Sequence, residues 1–267
     1  MECEPGASDF LETIPSITFG LAFKPREFVT ELRRRLIIPV YEKERFCPRC
    51  AGILDIQGRH PAVCGGGSDR ITRHNAVRNT VFRLTSTARL GPVLEKPGLL
   101  PPSPDHPWHT DARRPADVYI PVWEAGEPVA MDFAITSPQR QDILFESAEC
   151  GSATETAYER VKRTFLNTAS ACAEQGLGFI PMVASPAGGW GPAARKALQA
   201  IAKASAAFSG EPEKKVVQRQ RQLLCVVLRR ANARAIIDRD GGDEVWEGRL
   251  AAQETLASTA TSAGSGS

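Results

Sequence analysis

Residues 114–136 read RPADVYIPVWEAGEPVAMDFAIT, and their alternation decides the fold. Val118, Ile120 and Val122 recur at every second position, and Val129, Met131 and Phe133 do the same. The intervening EAGEP, Glu124 to Pro128, has turn chemistry, so the stretch predicts a β-hairpin. Asp117 stands at the mouth of the first strand, and Asp132 faces away from the apolar set of the second. Antiparallel pairing brings the start of one strand to the end of the other, which lets the two carboxylates converge. Neighbouring carboxylates repel unless a hard divalent cation or a shared proton lies between them. A magnesium site is the functional reading; two solvent-facing strand-end aspartates are the plain one.

Outward from the hairpin, the composition is that of a folded soluble chain: 267 residues, 42% apolar and 24% charged, enough to bury a core. No window reaches the run of apolar residues a membrane span needs, and the start, MECEPGASDF, is acidic where an export signal is basic. The expectation is a nuclear or cytoplasmic protein that is neither secreted nor membrane-bound. Charge is distributed in blocks. Residues 45–90 hold eight arginines against Asp55 and Asp69, and residues 213–240 hold eight Lys and Arg against three acids. Such blocks suit surfaces that meet phosphate, although solvated helix faces explain the second equally well.

Seven cysteines, an odd number, argue for reduced thiols over a disulfide framework. In FCPRCAGILDIQGRHPAVCGGG, Cys47 and Cys50 have the two-residue spacing of a zinc knuckle, and His60 and Cys64 complete a four-ligand set. A closed tetrahedral site of this kind is structural. His74 is the competing fourth ligand. The segment from Ser68 to Leu90 then predicts one helix with Ile71, Val77, Val81, Phe82 and Leu84 on its apolar side. Arg70, Arg73, His74 and Arg78 fall near one face, suited to phosphate contact.

Composition and periodicity divide the remaining chain. Residues 1–44 form an N-terminal arm and a short helix with Phe28, Val29, Leu32 and Leu36 as its apolar face; residues 45–67 form the knuckle. Residues 68–210 are the α/β core, residues 211–257 a basic C-terminal helix, and residues 258–267 a disordered tail. Within the core, residues 92–100 are a candidate strand containing Glu95, followed by a proline-rich loop with His106 and His109. Residues 139–150 and 154–175 predict helices, the second with Tyr158, Val161, Phe165, Leu166, Ala169 and Cys172 on its apolar face. Residues 178–184 predict a buried strand, and 192–208 and 213–239 Ala-rich helices. The order implies a mixed central sheet flanked by helices.

The combination of C-x2-C, H-x3-C, Arg73-His74-Asn75, Arg114-Pro115-x-Asp117 and Asp132 resembles the C-terminal region of site-specific non-LTR retrotransposons that carry a restriction-like endonuclease. The resemblance covers about residues 45–185. It implies a retroelement-derived, reverse transcriptase-associated PD-(D/E)xK-type nuclease with a zinc knuckle, structural Zn²⁺, catalytic Mg²⁺ or Mn²⁺, and DNA as partner. Asp117 and Asp132 would hold the catalytic cation. The lysine usually found two residues after the second acid is replaced by Ala134; Lys162 on the following helix is the displaced counterpart, with Tyr158 a turn away. Glu95 would supply a third carboxylate, and Arg114 stands in the Pro-Asp motif beside the DNA. Here that motif is Pro-Ala-Asp, one residue longer than in the family. Against this stands a catalytically inactive zinc-knuckle remnant that grips DNA or RNA, and beyond it an interaction protein working through helices 192–239.

Overall fold

The computed structural model describes residues 6–101, 114–138, 144–149 and 152–241. The proline-rich loop with His106 and His109, residues 139–143 and the tail from Ser258 lie outside the described residues, as do residues 242–257 of the predicted basic helix. The protein is mixed α/β and forms two compact units: residues 23–70 with 230–241, and residues 6–22 with 71–229. These units cut across the linear division expected from composition, because the last turns of the C-terminal helix group with the cysteine-rich segment.

The first unit holds α1 (Pro25–Arg35), the two-residue strands β1 (Arg45–Phe46) and β2 (Ile53–Leu54), and the single turn α2 (His60–Val63). β1 and β2 pair antiparallel, Phe46 opposite Ile53. The apolar face expected of α1 is corrected. Its buried residues are Arg26, Glu27, Thr30 and Glu31, and Leu36 is exposed. The reason is electrostatic: Glu27 accepts from the Lys24 N–H and from Arg234 at 2.6 Å, with Arg230 at 3.4 Å, so a buried acid is matched by cations and its lone pairs are used.

The second unit is built on a four-stranded mixed sheet. α3 (Asp69–Thr87) leads into β3 (Val93–Leu94), β4 (Val118–Ile120) and β5 (Val129–Ile135). After α4 (Leu144–Glu149), α5 (Ala153–Thr164) and α6 (Thr168–Glu174) comes β6 (Gly178–Ala184), then α7 (Pro192–Ser209) and α8 (Glu213–Ile237). The division between units falls within α3 and within α8. Strand order is β3-β4-β5-β6, antiparallel except for the parallel β5–β6 pair, whose crossover carries α4 to α6.

The hairpin forms, with a shorter first strand than the alternation predicts. Register pairs Val118 with Met131 and Ile120 with Val129, so the next pair would set Pro121 opposite Pro128. Neither proline has an N–H to donate, and the ladder stops there, leaving Val122 exposed. One face of the sheet packs Val118, Ile120, Val129, Met131, Phe133 and Met182 against Val77 and Val81 of α3, Ala197 and Ile201 of α7, and Leu224 and Leu228 of α8. On the other face Ala130 and Phe179 meet Ala171 and Cys172 of α6. Helices therefore flank both faces.

Three further expectations are corrected. The helix predicted over 154–175 breaks at Leu166 and Asn167, which have φ of 50° and 53°; Val161 and Phe165 are exposed, α5 buries Thr154, Glu155 and Glu159 instead, and Cys172 of α6 enters the core. The strand predicted over 92–100 ends at Leu94, because Glu95 takes a φ of 46°. In α3, Ile71 is 64% exposed and does not join Val77 and Val81. Among the described residues no helix is long and apolar enough to cross a membrane.

Candidate functional site

In the first unit the two-residue strands bend the chain so that Cys47, Cys50, His60 and Cys64 face one point. Their ligand atoms all lie within 4.8 Å of one another. Cys47 Sγ is 3.9 Å from Cys64 Sγ, Cys64 Sγ is 3.5 Å from Cys50 Sγ, and Cys50 Sγ is 3.2 Å from His60 Nε2. A tetrahedral Zn²⁺ with about 2.3 Å bonds to sulfur requires edges of roughly 3.8 Å between sulfurs, so the set could hold such an ion. Among the described residues this is the one group of three or more ligand-type side chains so close together. His60, not His74, completes it.

The turn chemistry around the cluster is specific. The Arg49 N–H donates to Cys47 Sγ and the Gly52 N–H to Cys50 Sγ. Gly66 lies so close to Arg49 that a Cβ there would strike its carbonyl, and a Cβ on Gly52 would strike the His60 ring, so both positions need glycine. Burial pushes the Cys47 thiol up, but the Arg49 N–H, Arg239, His60 and Cys50 pull harder the other way and leave it lowered to about 6. Cys50 is raised in spite of the Gly52 N–H, by burial and by its sulfur neighbours. Three thiols so close cannot all ionise without added positive charge.

Two residues that serve this cluster carry little or no signal in the sequence. Asp55 accepts the N–H groups of Gln57, Arg59 and His60 at 3.1, 2.8 and 2.8 Å, which fixes the His60 turn. An Asp followed by Gly58 three residues on is its one local sign. Arg239, its side chain fully buried, bonds Asp69 at 2.7 Å and the Ala235 carbonyl at 2.6 Å beside the cysteines. No local pattern links it to residues so distant in sequence.

In the second unit four side chains from four elements meet at one end of the sheet. The ladder that pairs Val118 with Met131 is offset at its end, because the Asp117 N–H also turns to the Met131 carbonyl, at 3.0 Å. This one-residue bulge re-aims Asp117. Its Oδ2 accepts the Phe133 N–H at 2.7 Å and lies 3.2 Å from His74 Nε2 of α3. Asp132 lies on the Ala130 side of β5, and Lys162 Nζ of α5 reaches its Oδ2 at 2.8 Å. The two carboxyl groups are near enough for the charge of Asp117 to act on Asp132. α5 is fastened nearby: Glu159 Oε1 accepts the Ala193 N–H at 3.0 Å, capping α7.

Electrostatics divides the pair. Burial raises the Asp117 carboxyl, but His74, the Phe133 N–H and Lys162 outweigh it, and the net direction is down. Asp132 is pushed up to about 6 by burial and by Asp117, against the pull of Lys162. The surroundings thus drive the two carboxyls in opposite directions, Asp117 down and Asp132 up. His74 is raised, chiefly by its bond to Asp117.

Glu95 joins no carboxylate cluster; it pairs with Arg78, and its N–H donates to the Asp117 carbonyl at 3.0 Å. Tyr158 is half-buried on α5, one turn before Lys162. Arg70 and Arg114 are exposed. The single basic face expected of α3 is corrected: Arg73 is 3% exposed and turned into the protein, and His74 is engaged by Asp117. No protein-family model matches the chain, and no curated protein matches it.

Proposed function

We propose that the chain is a divalent-metal-dependent DNA endonuclease of restriction-like type, related to the nuclease of site-specific non-LTR retrotransposons, with a structural zinc knuckle. One observation carries the reading: Asp117, at the start of β4, and Asp132, on the paired strand β5, stand at one end of the sheet, where Lys162 of α5 reaches Asp132. The donor set fits Mg²⁺ or Mn²⁺, since a buried carboxyl pair whose second member is pushed up to about 6 gains most from a hard cation. A cation bound there would supply an activated water at neutral pH and positive charge against the leaving oxygen.

The chain's own residues supply the rest. Asp117, held by the Phe133 N–H and His74, presents its carboxylate in a fixed orientation. Asp117 and Asp132 would hold the cation, and the Lys162 ammonium, 2.8 Å from Asp132 Oδ2, would supply positive charge to the oxygens of the scissile phosphate. Arg70, exposed in the first unit, and Arg114, exposed in the second, are each suited to phosphate contact. The Cys/His set would hold Zn²⁺ with no open coordination position, so its contribution is to folding.

The test is nicking of supercoiled plasmid by zinc-loaded protein with Mg²⁺ or Mn²⁺ against EDTA, beside Asp132→Ala. Metal-dependent nicking lost in the variant is the expected result. A plasmid that is retarded on a gel but never cut, by wild type and variant alike, would leave a binding remnant in place of a nuclease.

A further inference from the structure

The second unit contains a cavity of ≈ 310 Å³ away from the carboxylates. Its walls are one face of α7 (Arg195, Leu198, Gln199), one face of α8 (Val217, Gln220, Arg221, Leu224), Trp190, and the turn containing Gly6 and Asp9. The size lies at the lower end of the roughly 300–1,000 Å³ of small-molecule sites.

The lining restricts the chemistry of an occupant. The body is apolar, with an indole and three aliphatic side chains, so the ligand needs an apolar or flat aromatic portion. Two residues with neutral amides, Gln199 and Gln220, line it in a wall otherwise poor in uncharged polar groups. Gln220 is 5% exposed, and its amide oxygen has no hydrogen-bond partner among the described residues. A buried acceptor left unpaired costs about 1–3 kcal/mol, and a donor on a ligand would remove that cost. The charges at the rim are unequal. Asp9 is taken by Arg221, with Nε to Oδ2 and Nη2 to Oδ1 both at 3.1 Å. Arg195 bonds the Trp190 carbonyl at 2.7 Å through one nitrogen and brings a positive charge with further donors.

From this lining we infer that the cavity binds a single nucleotide: a nucleobase beside Trp190, its donor–acceptor edge on the Gln199 and Gln220 amides, and its phosphate on Arg195. Paired amide contacts are the ordinary way a glutamine reads a base edge, and base–indole stacking tolerates any base. The same chemistry is offered by a free mononucleotide and by one nucleotide of a single strand.

The experiment is calorimetric titration of the full chain, zinc-loaded and without Mg²⁺ or Mn²⁺, with adenosine, adenosine 5′-monophosphate and a short single-stranded oligonucleotide. Saturable binding of the monophosphate is expected. Gln220→Leu should weaken it roughly tenfold, the loss of one buried hydrogen bond, without lowering Tm. Arg195→Ala should weaken the monophosphate and leave adenosine unchanged, and Leu198→Trp should abolish binding of both by filling the space. Tight binding of the monophosphate with no gain for the oligonucleotide assigns a free nucleotide; the reverse assigns a strand. Absence of saturation by all three probes, or binding indifferent to both Gln220→Leu and Leu198→Trp, overturns the inference. Asp132→Ala should bind as wild type does, so failure of the nuclease reading and failure of this one are separable.

Discussion

The two sites are assembled in opposite ways. The Cys/His set comes from one short stretch, Cys47 to Cys64, whose turns and glycines bring four ligands together locally. The carboxylate site draws His74, Asp117, Asp132 and Lys162 from α3, the start of β4, β5 and α5, and exists only once the sheet and its crossover have formed. The first is a compact set of four ligand-type side chains that could hold one ion. In the second, Asp117 faces His74, Asp132 faces Lys162, and burial pushes Asp132 up to about 6. A local site stabilises its own fold; a site gathered from distant elements has its fold supplied by the core and is free to serve chemistry.

Removal of the metal should separate the two most sharply. Structural zinc in small modules is worth on the order of 10 kcal/mol, so Cys64→Ser or strong chelation should unfold the first unit, seen as loss of amide dispersion in NMR spectra for residues 23–70. Unchanged spectra after complete zinc removal would break the contrast.

Next in size is the pH dependence contributed by Asp132. Its pKa is raised from 3.8 to about 6 on folding, so its contribution to stability is fully present below pH 3.8 and lost as pH rises through about 6. A tenfold difference in proton affinity between folded and unfolded chains corresponds to about 1.4 kcal/mol, so Asp132→Asn should gain a few kcal/mol over wild type between pH 4 and pH 6 in denaturant titrations of zinc-loaded protein without Mg²⁺ or Mn²⁺. Parallel stability curves for the two proteins over that window would contradict the assignment.

A smaller effect is expected at His74. If it orients Asp117, His74→Ala should lower nicking by roughly 10–100-fold while DNA affinity changes little, because second-layer partners of a metal site act on the reaction. A loss confined to affinity would return His74 to the DNA interface. The smallest effect lies in the arginines of α3. Arg70→Ala should reduce the salt slope of DNA binding by about one ion and leave Tm unchanged. Arg73→Ala should do the reverse, lowering Tm because Arg73 is buried.

The cysteine spacing and the period-two alternation were legible because each is a short-range signal: Cys47–Cys50, and Val129, Met131 and Phe133 on one strand face. The convergence of Asp117 with Asp132 followed from hairpin geometry, and Lys162 entered only through family resemblance. Other features were hidden. The two prolines that end the ladder are visible in sequence, yet they oppose one another only in the register that forms. The inward turn of Arg73, the polar buried face of α1 and the place of Arg239 under the cysteines depend on partners supplied from distant parts of the chain. Helical periodicity records which residues share a face and says nothing of which face meets an acid.

The central claim is that Asp117 and Asp132 share one divalent cation. Titration of zinc-loaded protein with Mn²⁺, followed by loss of the free-ion electron paramagnetic resonance signal, tests it without any substrate. The expected result is one bound Mn²⁺ per chain, displaced by excess Mg²⁺ and lost in both Asp117→Ala and Asp132→Ala. Free Mn²⁺ throughout, or binding that survives both substitutions, would contradict it.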